Sequence, residues 1–189
     1  SFRTETNDET QKQHANDILH DITFRHLQED LVELLEQGIN SRERLEVAIL
    51  TLARFGSPTL SIKAYQNKLN HFAKILTPQI RYKLDERRKM KALLKFVFED
   101  LNFSGDDKDY HHPENCFLNT VIDNRKGLPI SLSLVVIFLA RRLDLPFFGV
   151  NMPIHFMLNF VGEKEEVLID PFDDGASVTY DQCYFFLKK

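Results

Sequence analysis

The stretch Ile130–Leu143 constrains this chain more than any other. Leu132, Leu134, Val135, Val136, Ile137, Phe138 and Leu139 cover nearly the whole circumference of a helix, and a helix that is apolar all round has to be buried. Gly127 breaks the chain ahead of it. Pro129 suits the first helical turn, where its missing N–H removes no intrahelical bond. Three Val- and Phe-rich stretches follow, 147–151, 156–161 and 167–169, and they read as strands. Gly162-Glu163-Lys164-Glu165 reads as the hairpin between the last two. A buried central helix feeding a small antiparallel sheet is an α+β arrangement.

The first half is patterned differently. Residues 1–8 are polar and read as a frayed end. Leu27, Leu31, Leu34 and Leu35 then follow helical spacing as far as Gly38. Ser41 is placed to cap a second helix, with Leu45, Ala48, Ile49, Leu52 and Ala53 inward, and Gly56-Ser57-Pro58 breaks it. A third helix runs from Ile62 to about Leu76 on Tyr65, Leu69, Phe72, Ala73 and Leu76. A fourth runs from Asp85 to Leu101 on Leu93, Leu94, Val97, Phe98 and Leu101. The spacing predicts an all-helical region over 1–104 and the α+β core over 105–189. Between them, 102–115 reads as a loop. Cys116–Asn124 reads as a short helix capped by Asn115.

Composition narrows the function classes. Residues 1–104 carry 16 Lys/Arg against 15 Asp/Glu, and residues 105–189 carry 8 against 13. Neither half is basic enough for a nucleic-acid footprint. Arg87-Arg88-Lys89 falls inside an amphipathic helix and reads as a solvated face. No apolar run reaches the roughly 18–20 residues of a membrane span. Two cysteines, Cys116 and Cys183, are too few for a disulfide framework, so a cytoplasmic setting is the default.

Several residues carry chemistry. His155 could serve as a general base with Asp170 fixing its tautomer; a buried His–Asp pair could equally just tie two strands together. Ser131 and Ser133 fall in the first turns of the buried helix, where free N–H groups and the helix dipole favour an oxyanion or an activated nucleophile. Serine is a weak nucleophile without an aligned base, and both hydroxyls could instead bond to backbone. Cys116 opens the preceding short helix, where the dipole favours a thiolate, although free cysteine is commonly a small buried hydrophobe. Cys183, beside Tyr184 and Phe185, reads as packing. The loop Asp106-Asp107-x-Asp109 with His111-His112 lacks the ligand spacing of a calcium loop or a zinc helix. No metal or cofactor is expected.

The combined motifs resemble a known family. Asp109-Tyr110-x-x-Pro113-x-Asn115, Leu118-Asn119, Arg125-Lys126-Gly127-Leu128-Pro129-Ile130-Ser131-Leu132-Ser133, Ala140-Arg141-Arg142-Leu143, His155-Phe156 and Ile169-Asp170-Pro171-Phe172 are similar to the Sir-B regulator family. That is a branch of the transglutaminase-like proteins, which share the papain-like cysteine protease fold. The resemblance covers residues 45–189 and implies tetratricopeptide-like flanking helices, with further helices beyond Lys189. It also implies nucleophile, base and acid in the order helix N-terminus, His155, Asp170, and places Asn115, Asn119, Arg125, Pro129 and Ser133 along a cleft; Asn115, Asn119 and Arg125 equally suit capping and tying down the short helix, which is the simpler reading. Laid on the Gly-x-Cys of active relatives, Gly127-Leu128-Pro129 puts Pro129 on the cysteine. Cys116, Ile154 and Asp144 depart from the family's usual Ser, Gly and Gly; an Asp at the last position tolerates a left-handed backbone.

Two functions follow from these residues. One is a non-enzymatic regulatory module whose cleft holds a protein or peptide segment, with no nucleic acid and no membrane. The other is an amide or thioester hydrolase or transamidase, with Cys116 or Ser131 attacking, His155 moving the proton and Asp170 orienting it.

Overall fold

The computed structural model describes residues 2–39, 41–80, 85–153, 155–179 and 181–183. It divides into two compact units, Ser1–Leu60 and Ser61–Lys189. The first holds α1 (Phe2–Glu36) and α2 (Arg42–Ala53). Helix begins at Phe2, so the polar opening is helical rather than frayed. α1 ends at Glu36, two residues before Gly38, whose φ of +81° is the left-handed conformation glycine adopts freely. Ser41 caps α2 as expected, its hydroxyl accepting the Arg44 N–H at 3.1 Å. Leu27, Ala48, Leu50 and Ala53 are buried, and Phe24 meets Phe55 edge-on at 4.7 Å.

The second unit is mixed helix and sheet. α3 (Ile62–Ile80) and α4 (Glu86–Lys95) both pack on the central helix α6 (Pro129–Arg142). These two helices share the helical period of the N-terminal residues, but by contact they fall within the second unit. α3 continues past Leu76 through Pro78 to the buried Ile80. After α4 the chain widens into one π-helical turn, Phe96–Asp100, in which the Leu101 N–H reaches back five residues to the Phe96 carbonyl at 2.8 Å. The wider turn buries three consecutive side chains, Phe96, Val97 and Phe98.

α6 is the axis of the unit. Ten of its residues are buried, Leu132, Val135, Val136, Phe138, Leu139 and Ala140 completely. On it lies an antiparallel sheet in the order β3 (Phe147–Met152), β4 (His155–Val161), β5 (Glu166–Asp170), β6 (Ala176–Val178). Asp144, φ +54°, makes the left-handed turn out of α6. The β4–β5 hairpin falls where the sequence places it, with the Gly162 N–H on the Glu165 carbonyl at 2.9 Å. It is tied to α4 by the Glu163 N–H on Glu86 and by Arg87 on Glu165 at 3.3 Å. β6 and a two-residue parallel pair, β1 (Ser104–Gly105) with β2 (Lys126–Gly127), are additional to the sequence expectation. Strands of two or three residues leave no period to read.

The segment ahead of α6 differs in detail. Cys116–Asn124 is not one helix: Pro113–Cys116 forms a 3₁₀ turn, and α5 (Leu118–Asn124) begins after Phe117. Asn115 caps neither, because its side-chain amide is drawn instead to Asp106 and to the Asp109 carbonyl, at 3.1 and 2.8 Å. The His112 Nδ1 caps the 3₁₀ turn by accepting the Glu114 N–H at 3.3 Å.

Candidate functional site

β4 opens on His155 and β5 closes on Asp170, and the structure brings the two side chains together. Nε2 of His155 lies 2.9 Å from Oδ1 of Asp170, each side chain 13% exposed. The carboxylate is held by its own turn, since Oδ1 also accepts the Phe172 N–H at 2.8 Å. Asp-Pro-Phe therefore fixes the acid before the histidine meets it. Ile154, which precedes the histidine, lies outside the described residues, as do Tyr184 and Phe185.

A chain of close contacts joins this pair to the start of α6. Phe172 lies flat against Gly105: a Cβ there would stand 2.7 Å from its ring. Gly105 pairs with Gly127 in the β1–β2 ladder. A Cβ on Gly127 would stand 2.7 Å from the Ser131 hydroxyl and 2.9 Å from Val121. Tyr110 covers the outer side of Phe172, edge-on at 5.7 Å. Gly105, Phe172 and Tyr110 carry no catalytic chemistry, and sequence reasoning passed them over as site-builders. The signal was their place inside or beside the quoted motifs.

The hydroxyls on α6 are fully enclosed. Ser131 is 1% exposed; its Oγ donates to the Asn115 carbonyl at 2.8 Å and accepts the Leu128 N–H at 2.9 Å. The bond from Leu128 caps the start of α6, and the bond to Asn115 staples the 3₁₀ turn to it. Backbone thus engages the Ser131 hydroxyl on both sides, in a buried place. Ser133 is fully buried and its Oγ has no hydrogen-bond partner among the described residues. Pro129, at the first position of α6, is buried, whereas Ile130 beside it is 47% exposed. Cys116 ends the 3₁₀ turn with an exposed, unpaired thiol. Cys183 is buried, and desolvation pushes its thiol pKa up, as a packing residue requires.

Asn119 is buried and Arg125 half-buried, and both tie the short helix to its surroundings. Tyr65 donates to Asp123 at 2.6 Å, and Lys68 pairs with the same carboxylate, so α3 and α5 are clamped together. Arg125 turns left-handed at φ +62° after α5. Its guanidinium stacks between Phe72 and Phe103, 4.7 and 4.6 Å from the ring centres. Burial pushes its pKa down, opposed by the nearby Asp123 charge. In the acidic loop, Asp106 accepts the Asp109 N–H and the Asn115 amide. Among the described residues no three His, Cys, Asp or Glu are grouped to hold a metal, and no helix is long and apolar enough to cross a membrane.

Helix start, histidine strand and aspartate strand now stand in one connected assembly, and comparison with known proteins places it. The model of the transglutaminase-like superfamily matches residues 63–189. This chain belongs to the transglutaminase-like superfamily. It is 32% identical over 133 residues to a UPF0162 protein of Xylella fastidiosa, covering 70% of this chain and 47% of that relative. To a UPF0162 protein of Vibrio cholerae it is 27% identical over 145 residues, covering 76% and 53%. To the F-box only protein 21 of Mus musculus it is 26% identical over 183 residues, covering 89% and 25%. The chain thus spans about half the length of these bacterial relatives and a quarter of the mouse one. No solved structure matches it.

Proposed function

We propose that this transglutaminase-like unit is a non-enzymatic regulatory module that holds a segment of another protein. One observation carries the reading. Pro129 occupies the first position of α6 and backbone engages the Ser131 hydroxyl, while the His155–Asp170 pair stays in place. Without a nucleophile at the helix start, acyl transfer has no first step there, whereas a preformed polar pair can still orient a bound chain, and Ile130 at the head of α6 is exposed. The resemblance to the Sir-B regulator family supports a regulatory role in the cytoplasm, and helical flanks suit the capture of extended partners.

A second reading rests on Cys116. Its thiol is exposed, one residue from the Asn115 carbonyl that Ser131 fastens to the start of α6. An amide or thioester hydrolase or transamidase would then use Cys116 to attack, with His155 as base and Asp170 orienting it.

The deciding experiment compares the intact chain with His155→Ala, Cys116→Ser and Ile130→Asp. Capture of one identified protein segment, weakened by Ile130→Asp, with no turnover of an amide and thioester panel, supports the module. Turnover that disappears in both His155→Ala and Cys116→Ser overturns it in favour of the enzyme.

A further inference from the structure

The sheet has two edges, and they are unlike. β6 is three residues long, too short to template another strand. β3 is twice that length and lies at the other edge, with no strand paired on its outer side among the described residues. Natural proteins guard such an edge with charge, proline or a bulge. Phe147-Phe148-Gly149-Val150-Asn151-Met152 carries no charge, and its prolines, Pro146 and Pro153, stand outside the strand.

The hydrogen-bond phase of this edge follows from the register. The Val161 N–H donates to the Pro146 carbonyl, and Phe147 lies opposite Phe160. In an antiparallel ladder bonded and non-bonded pairs alternate, so 148, 150 and 152 bond to β4. Gly149 and Asn151 turn their N–H and C=O groups outward. Both residues are exposed, and for a glycine exposure means exposed backbone. The Phe156 ring covers the inner side of Gly149, where a Cβ would stand 2.5 Å from it. Phe148, on the same face as Val150 and Met152 by strand alternation, is 56% exposed.

We propose that β3 is a self-pairing edge, and that its occupant is the β3 strand of a second copy of this chain. The strand complements itself. Antiparallel pairing about a two-fold axis at Val150 brings the outward groups of Gly149 onto those of Asn151 of the second copy; an axis at Gly149 pairs Gly149 with itself and the Asn151 N–H with the Phe147 carbonyl, the Phe147 N–H being held by the Leu145 carbonyl. Either register sets Phe148 against Val150 or Met152 across the new seam, which covers the exposed ring. Uncharged side chains bring no like-charge repulsion to the pairing. A seam of two such strands falls short of the roughly 1,200 Å² at which stable interfaces begin, so the dimer forms at high protein concentration. The proposal concerns a surface separate from the His155–Asp170 site and does not depend on the function proposed above.

Sedimentation velocity on the intact chain across a concentration series tests this, together with Phe148→Lys, Asn151→Pro and, as a control on the opposite edge of the sheet, Ser177→Lys. Asn151→Pro deletes one outward N–H and no bond to β4; circular dichroism and thermal unfolding establish that each variant folds. The expected result is a concentration-dependent dimer, weakened about tenfold or more by either edge variant and unchanged by the control. Amide exchange at Gly149 and Asn151 should slow as the wild type is concentrated. A monomer at every concentration overturns the proposal and leaves the edge to a different polypeptide. A dimer that both edge variants leave intact, or one without protection at those two amides, overturns it equally.

Discussion

Gly105 and Gly127 show how little room separates the His155–Asp170 pair from the head of α6. Gly105→Ala should destabilise the fold by about 1–3 kcal/mol, the usual effect of overpacking, because its methyl would press into the Phe172 ring. Chemical denaturation would measure it; an unchanged midpoint would mean that Phe172 does not lie on Gly105. Ser131→Ala should cost about 1–3 kcal/mol, because it removes the partner of the Leu128 N–H and of the Asn115 carbonyl in a buried place. Tyr65 gives a pH signature. Desolvation, its hydrogen bond to Asp123 and the charge of that carboxylate push its pKa up from 10.0 to about 12. A pKa raised by folding stabilises the protein fully below the unfolded value and is lost as pH rises through the folded one. Stability should therefore fall between pH 10 and about 12, and Tyr65→Phe should flatten that slope in a pH series of unfolding curves.

At the scale of elements, α6 was the most legible part of the chain and the most consequential. Fourteen residues with an apolar circumference leave one solution, and the structure places them at the centre. Leu132→Ala should cost about 2–5 kcal/mol, since its side chain is completely buried; urea midpoints would report it. The hairpin at 162–165 was legible from turn chemistry, and His155 and Asp170 from their order after the helix, which the family resemblance carries. What could not be read was whatever depends on contact across the chain. β1 and β2 consist of two residues each, and nothing local marks Gly105 as the seat of Phe172. Asn115 carries the residue type of a helix cap, yet Asp106 competes for its amide. Arg125 reads as a polar cleft residue until Phe72 and Phe103 are seen on either side of it. Local preference gave way to tertiary packing at each of these positions.

For the whole molecule, the helical period before residue 101 does not mark the unit boundary, because an amphipathic helix pattern says that one face is covered but not by what. Contact places the division at Leu60 and Ser61, just past Gly56-Ser57-Pro58 and just ahead of the family match at residue 63. Limited proteolysis should accordingly cut first within residues 54–61 and release a resistant fragment beginning near Ser61, identifiable by its mass; a first cut inside 62–101 would contradict that boundary. The widened turn at Phe96–Asp100 has a consequence of its own. It holds one residue more than an α-helix would use to reach the same height, so it sets the rotational phase at which the chain leaves α4. Closing the turn to ordinary helical winding with all five residues kept would turn the following backbone by about 100°. Ser104 and Gly105 would then reach β2 on the wrong side. Removing one residue as the turn closes restores the same height and phase, so chain length can change by one residue here while the parts around the His155–Asp170 pair keep their places.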